Sequence, residues 1–348
     1  MIPDKIVLRH SDPDRTLAGV RLVQEIGLPA DQLEFEYDDA GRGWRLRLPQ
    51  LPVWRLEYRL ELRHEGRTEV VCDPDNPQRA PGGFGEKSVI ELAAYHQPDW
   101  LDLPEAPGAW RDLSVPSRAL KADVPVRIWT PPGAEGIMLA HDGGEFDKLI
   151  GLSQYSAAMV AHGAMPPHHL VLLSAGDRND WYSANPGYAR ALAEDVLPSV
   201  RAELGTNAPA VALGASLGAL ALLHAQRRYS HLFGGMFLQS GSFFQRRYDA
   251  QESAFPHYRR IVRFVAGARR RWPAGAPVPT IMTCGAAEEN LANNRDMADA
   301  LRKQGYPVRL IEMPDAHNLV AFRDAWHPLL AELTIEVWTG DPSQAQDD

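Results

Sequence analysis

The hydrophobic rhythm of the chain changes along its length. Trp44, Leu46 and Leu48 alternate with Arg45 and Arg47, and Leu56, Tyr58, Leu60 and Leu62 alternate with Arg55, Glu57, Arg59, Glu61 and Arg63. Period-two patterning predicts strands that bury one face and show the other to water. Leu51-Pro52 and His64-Glu65-Gly66 break these runs, giving the texture of an all-β sandwich. Asp73-Pro74-Asp75-Asn76-Pro77 and Gly82-Gly83-Phe84-Gly85 read as long loops that either cross its surface or reach a neighbouring site. Helical periods begin only after about residue 150. The proline-studded stretch 98–107 reads as a linker, dividing an N-terminal domain of residues 1–104 from a second domain of residues 105–340.

The second domain has a different grammar. Val126-Arg127-Ile128-Trp129-Thr130 still alternates, but Gly136-Ile137-Met138-Leu139-Ala140, Leu170-Val171-Leu172-Leu173 and Pro279-Thr280-Ile281-Met282-Thr283-Cys284 are short, mainly apolar runs. Such runs predict strands covered on both faces. Residues 294–303 then carry helical spacing, Gly305-Tyr306-Pro307 stops the helix, and Val308-Arg309-Leu310-Ile311-Glu312-Met313 is the next strand. Strands alternating with helices predict an α/β domain.

One junction in it carries chemistry. Apolar residues 211–213 run into Gly214-Ala215-Ser216-Leu217-Gly218, and Ala219-Leu220-Ala221-Leu222-Leu223-His224 continues with good helix propensity. Strand, tight turn and helix with a serine at the tip is the nucleophile-elbow arrangement of α/β-hydrolases. The glycines have a physical reason. Strand and helix approach closely around a strained turn, so positions two residues from the serine must be nearly side-chain-free. The N–H of Leu217 can then face a developing oxyanion. A second amide is expected from His141-Asp142-Gly143-Gly144-Glu145-Phe146, with Gly143, Gly144 and Glu145 as candidate donors.

A serine nucleophile needs a base, and the base needs an orienting acid. In this arrangement both follow the serine, acid first, on loops after later strands. Gly285-Ala286-Ala287-Glu288-Glu289-Asn290 follows one strand with two carboxylates, and Pro314-Asp315-Ala316-His317-Asn318 places a histidine just past the next. His317 is the candidate base and Glu288 the candidate acid, with Glu289 and Asp315 as rivals. His141, His168, His169 and His224 read as packed or surface residues. No H-E-x-x-H, C-x-x-C, G-x-x-x-x-G-K-[ST] or G-x-G-x-x-G occurs, so metal and nucleotide readings are poor and no cofactor is expected.

Composition narrows the partners. With 36 Lys and Arg against 45 Asp and Glu, the net charge of −9 argues against nucleic acid or an anionic membrane. The two cysteines, Cys72 and Cys284, lie far apart and read as thiols of a reducing compartment. Met1-Ile2-Pro3-Asp4-Lys5 lacks the layout of a secretion signal, and no apolar run is long enough to span a bilayer. A cytoplasmic protein acting on a small-molecule ester is expected.

These motifs together resemble those of the enterochelin (enterobactin) esterases and their esterase-D-like relatives among the α/β-hydrolases. The resemblance spans nearly the whole chain. Leu51-Pro52-Val53-Trp54-Arg55-Leu56-Glu57-Tyr58 and Asp73-Pro74-Asp75-Asn76-Pro77 resemble an early-set (immunoglobulin-like) sandwich ahead of the hydrolase domain. Gly214 to Gly218, Gln239-Ser240-Gly241-Ser242-Phe243-Phe244, Asp177-Arg178-Asn179-Asp180-Trp181-Tyr182-Ser183-Ala184-Asn185-Pro186 and Glu194-Asp195-Val196-Leu197-Pro198 are similar to the family's core. It implies a serine esterase, acting on catecholate siderophore esters or on other esters, with Ser216, Glu288 and His317 as its triad. It also implies that Arg178 lies near the site, where it could bind an acidic or catecholate group; the alternative is a structural salt bridge. Asn318-Leu319 stands where the family often has an acidic residue and tryptophan, and no cluster of Lys and Arg is read near the motifs. The alternatives are an acyltransferase on the same triad and a non-catalytic carbohydrate- or ligand-binding protein with a vestigial elbow.

Overall fold

The computed structural model describes residues 6–229, 231–270 and 276–340. Met1-Ile2-Pro3-Asp4-Lys5, read above for a secretion signal, lies outside them. The chain divides into two compact units. One holds Met1–His96 together with Gly285–Glu288 and Met313–Ala321; the other holds Gln97–Cys284, Glu289–Glu312 and Phe322–Asp348.

The first unit begins with eight strands: β1 (Val7–Ser11), β2 (Gly19–Gln24), β3 (Glu36–Asp38), β4 (Gly43–Arg47), β5 (Arg55–His64), β6 (Arg67–Val71), β7 (Arg79–Ala80) and β8 (Lys87–Glu91). They form two sheets, ordered β1-β4-β3 and β2-β5-β8-β7, with β6 also paired to β5. Apolar partners face one another across the antiparallel ladders: Leu8 opposite Leu46, Leu22 opposite Leu60, Val20 opposite Leu62. The buried faces of both sheets share a single core that includes Leu8, Trp44, Leu46, Leu22, Leu56 and Leu60. Alternation therefore predicts Trp44, Leu46, Leu56 and Leu60 correctly.

It fails at the start of β5. Arg55 and Glu57 stand on the face expected to meet water, yet they are 3% and 7% exposed. The cause is the segment Met313–Ala321 of the same unit. The Trp54 N–H donates to the Pro314 carbonyl at 2.6 Å. Arg55 Nη1 lies 3.1 Å from Glu57 Oε1 and 3.9 Å from Asp315 Oδ2. Ala316 belongs to the apolar core of the sheets.

The second unit is built on one mixed sheet. Its strands are β9 (Ala109–Ser117), β10 (Ala122–Thr130), β11 (Gly136–Ala140), β12 (His168–Leu173), β13 (Ala210–Ala215), β14 (Gly235–Gln239), β15 (Thr280–Gly285) and β16 (Val308–Met313), in the order β16-β15-β14-β13-β11-β12-β10-β9. β9 and β10 are antiparallel neighbours, and the strands from β12 through β11, β13 and β14 to β15 run parallel. β11, β12, β13, β14 and β15 are buried at every residue, as continuous apolar runs demand when helices cover both faces. Helices fill the crossovers: α1 (Gly143–Ile150) and α2 (Leu152–Ala161) after β11; α3 (Arg178–Tyr182), α4 (Pro186–Arg190) and α5 (Leu197–Leu204) after β12; α6 (Leu217–Arg228) after β13. α7 (Tyr258–Arg269), α8 (Leu291–Arg302), α9 (Leu319–Asp324) and α10 (Leu329–Thr339) complete the chain.

The stretch 98–107 is packed at its start, contrary to its reading as a linker. Trp100 is 2% exposed, with its ring centroid 5.1 Å from that of Tyr155 and 6.1 Å from that of Trp326. A large aromatic amid prolines gains more from burial than an extended strap loses in freedom. Among the described residues, no helix is long and apolar enough to cross a membrane.

Candidate active site

Ser216 closes β13 and opens α6 with φ 56° and ψ −122°, a backbone conformation that residues with a Cβ rarely adopt. Its flanking glycines are required by contact. A Cβ on Gly214 would lie 2.9 Å from the Gly218 carbonyl carbon and 3.0 Å from Leu222 Cδ1, and one on Gly218 would meet His141 Cβ at 3.2 Å. The turn is pinned on the side of β14. Ser216 N–H donates to the Gln239 carbonyl at 2.9 Å, Ser242 N–H donates to the Ser216 carbonyl at 3.1 Å, and the two hydroxyls lie 3.1 Å apart. Ser242 was visible in the sequence only as part of a similar segment. Its place beside Ser216 comes from the positive φ of Ser240 and from Asn294, whose amide bonds both the N–H and the carbonyl of Gly241.

The loop expected to supply the second oxyanion amide is the first turn of a helix. α1 starts at Gly143 after Asp142, which sits at φ 51°. A Cβ on Gly143 would come within 2.7 Å of Leu172 Cα, so close packing against β12 calls for this glycine. Glu145 N–H donates to the Asp142 carbonyl at 3.0 Å, so its amide is used within the turn. His141 ties this helix start to that of α6: its Nδ1 lies 3.1 Å from the Gly218 carbonyl and its Nε2 2.9 Å from the Tyr188 hydroxyl. A neutral ring satisfies both bonds, donating at Nδ1 and accepting at Nε2. Burial holds its pKa down at about 4, and the ring stacks on Tyr182 at 4.5 Å. Arg178 grips Asp142 with two bonds, Nε to Oδ1 at 2.8 Å and Nη2 to Oδ2 at 2.7 Å.

In the first unit, the exit loops of β15 and β16 are joined through their backbones. Ala286 N–H donates to the Met313 carbonyl at 2.6 Å, and Ala287 N–H to that of Asp315 at 3.2 Å. This pairing sets His317 Nδ1 2.8 Å from Glu288 Oε2, while Glu288 Oε1 accepts from Gly285 N–H at 2.8 Å. The three candidate acids thus differ in their partners. Glu288 is buried against the histidine. Glu289 is exposed and accepts from Gln251. Asp315 accepts from Ala316 N–H and Asn318 Nδ2, each at 2.8 Å, shaping its own loop.

His168 and His224 have structural partners. His168 bridges the Pro166 carbonyl and the Ser156 hydroxyl, and His224 meets Phe264 edge to face; burial lowers both to a pKa of about 4. Among the described residues, His10, Asp73 and Asp75 bring ligand-type atoms within 4.8 Å of one another. Their carboxylates are engaged by Tyr58 OH, Asp75 N–H and Ser11 N–H, which staple the 73–77 loop. The reading that no basic cluster lies near the motifs is corrected. Arg246, Arg247, Arg259, Arg263 and Arg269 line one groove, because α7 sets Arg259, Arg263 and Arg269 along one face beside residues 244–247, while its Arg260 turns away to Asp180.

The mixed sheet with its strained serine turn is an α/β-hydrolase domain, preceded by an all-β early-set (immunoglobulin-like) sandwich. The Esterase family model matches residues 117–319, and the chain belongs to that family. It is 30% identical over 201 residues to an iron(III) enterobactin esterase of Escherichia coli, a match covering 53% of this chain and 50% of that protein. The chain thus spans about half the length of the curated relatives it matches. Among solved structures, the enterobactin esterase of Shigella flexneri determined in the presence of enterobactin superposes with a TM-score of 0.76 at 20% identity, over 98% of this chain and 95% of that one. The ferric enterobactin esterase of Salmonella typhimurium gives a TM-score of 0.74 at 18% identity, over 97% and 94% of the two chains. Likeness at these identities speaks for the fold.

Proposed function

We propose that the protein is a serine esterase that hydrolyses carboxylic esters of siderophore type, as the names of its relatives suggest. Ser216 is the nucleophile, His317 the general base and Glu288 the acid that orients it. The observation that carries this reading is the 2.8 Å bond from His317 Nδ1 to Glu288, in a chain whose β13 ends in a strained serine turn. With Nδ1–H donated to a buried carboxylate, Nε2 is the basic nitrogen, which is the tautomer that can take a serine proton. Ser216 Oγ attacks the ester carbonyl carbon as His317 accepts its proton. The amide of Leu217 and those opening α1, Gly143 and Gly144, donate to the oxyanion. Collapse expels the alcohol, which takes the proton back from His317. Water then attacks the acyl-serine with the same base and releases the acid. Arg178, locked onto Asp142, holds the turn ahead of α1 in place and presents its outer edge to an acidic substrate group.

The test is a panel of esters that includes an iron-free and a ferric catecholate trilactone, with Ser216→Ala as blank. Turnover of the trilactone lost by several orders of magnitude in the variant, with phosphonate labelling confined to Ser216, is the expected result. Full activity in Ser216→Ala overturns the mechanism. Turnover of simple esters with none of either trilactone overturns the substrate class and keeps the mechanism.

A further inference from the structure

The stretch from the end of β14 through α7 contains a basic groove to which neither the fold nor the proposed chemistry assigns a role. Residues 259, 262, 263 and 266 follow the i, i+3, i+4, i+7 spacing of one helix face, and Phe244, Val262 and Ala266 supply apolar surface between the arginines. Arg247 and Arg269 both reach Asp296, and Arg269 also reaches Gln245. Arg246, Arg259 and Arg263 make no ion pair among the described residues, although the chain as a whole carries −9. Five guanidiniums, two of them bonded to Asp296, outnumber the carboxylates Asp296, Asp249 and Glu252 of the same region, and in an acidic protein this excess forms a local field that draws anions. The concavity encloses about 630 Å³. That is the size of a small-molecule pocket, which runs from roughly 300 to 1,000 Å³, and its walls are part apolar, as such pockets are.

We propose that this groove is an organic-anion subsite, taking a carboxylate or phenolate carried on a flat apolar body. Arg246, Arg259 and Arg263 offer planar forks that pair with two oxygens at once, and Phe244, Val262 and Ala266 take the body. The groove adjoins the serine turn along the chain. Phe244 is two residues beyond Ser242, so at about 3.8 Å per step their Cα atoms are at most about 7.6 Å apart, and the Ser242 hydroxyl lies 3.1 Å from that of Ser216. The same chemistry could therefore arrive as the acidic part of a substrate or as a free acid. Because binding is read without turnover, the inference stands or falls independently of ester hydrolysis.

The experiment titrates the full chain carrying Ser216→Ala with 2-naphthoate and with neutral 2-naphthamide by calorimetry. The expected result is saturable naphthoate binding, about tenfold tighter than naphthamide, that weakens several-fold between 50 and 300 mM NaCl, on the order expected for exposed charges. Arg259→Gln and Arg263→Gln are each expected to weaken naphthoate about tenfold, with naphthamide unchanged and circular dichroism confirming the fold. Arg118→Gln, an exposed arginine outside the groove, serves as control. Competitive inhibition of ester turnover by naphthoate in the unmodified chain identifies the substrate as the source; binding without competition identifies a free acid. Naphthoate binding that is absent, matched by naphthamide, or indifferent to both substitutions overturns the proposal.

Discussion

The backbone N–H of Trp54 donates to the carbonyl of Pro314 at 2.6 Å. It joins the residue just before β5 to the loop that carries His317, and Arg55 and Asp315, the next residues of each segment, continue the link through their side chains. The loop of the candidate base is thus held by the unit of N-terminal sheets. Its shape depends on residues some 260 positions upstream, and no local pattern around His317 announces them.

Ser216 pays for its exposure with backbone strain. At φ 56° and ψ −122° only glycine is at ease, and such a conformation costs on the order of 1–3 kcal/mol. Ser216→Gly relieves it at an entropic cost of roughly 0.4–1 kcal/mol in the unfolded chain, whereas Ser216→Ala keeps the strain. Urea denaturation should find the glycine variant about 1 kcal/mol more stable than the alanine variant, with both inactive. Equal stability would mean that the turn is relaxed in solution.

The two adjacent glutamates should separate cleanly. Glutamine at 288 can still accept from Gly285 N–H, but it presents an NH₂ to His317 Nδ1 and favours the wrong tautomer. Glu288→Gln is expected to lower kcat about a hundredfold or more, and Glu289→Gln less than about twofold. Steady-state kinetics on one ester decides it. Comparable losses would move the acid away from Glu288.

Acid sensitivity follows from the buried histidines. Burial, aided by the positive charges of Arg228 and Arg260, lowers the pKa of His224 from 6.5 to about 4. Its unfolded form therefore binds more protons between those limits, and stability falls as pH drops from about 6.5 toward 4. The loss approaches about 3 kcal/mol for the one residue. His141 and His168, lowered likewise by burial, act with the same sign. His224→Leu should flatten the slope of unfolding free energy in this window by about 1.4 kcal/mol per pH unit. An unchanged slope from pH 4.5 to 6.5 would show that His224 titrates normally in the folded protein.

Much of this was legible from local pattern. The strand runs and the strained turn at Ser216 follow from the spacing of apolar residues and glycines, because both are short-range demands. The start of α8 at Leu291 rather than at 294 was less so, since Leu291 and Ala292 extend the helix without changing its apolar face. What the sequence hid depends on distant pieces of chain. Arg55 and Glu57 look like the wet side of a strand until Asp315 is laid over them, and Trp100 looks like linker until Tyr155 and Trp326 meet it. The arginines of the groove are spread over 246–269: the helical period of α7 sets Arg259, Arg263 and Arg269 on one face, and Arg246 and Arg247 come to it from the segment ahead of the helix.

The link through Arg55 has consequences for both stability and rate. Its guanidinium, 3% exposed in the side chain, lies between the carboxylates of Glu57 and Asp315. Burial, opposed by Arg55 and Lys87 and assisted by Asp315, raises the pKa of Glu57 from 4.5 to about 7. Arg55→Met keeps much of the volume but leaves two buried carboxylates facing each other, an imbalance worth roughly 3–5 kcal/mol. A raised acid stabilises the fold fully only below its unfolded value, and this contribution is lost as pH rises through the folded value. Without Arg55 the folded value of Glu57 should rise further. The destabilisation measured by urea should therefore be largest at pH 8 and shrink toward pH 5, where Glu57 is protonated in the folded state and repels nothing. If the anchored loop also sets the position of His317, kcat at pH 8 should fall at least about tenfold in the variant that remains folded, with KM little changed, because the loss lies in the proton transfer rather than in substrate binding. A penalty that does not vary with pH would remove Glu57 from the argument, and an unchanged kcat would show that the loop holds its shape without Arg55.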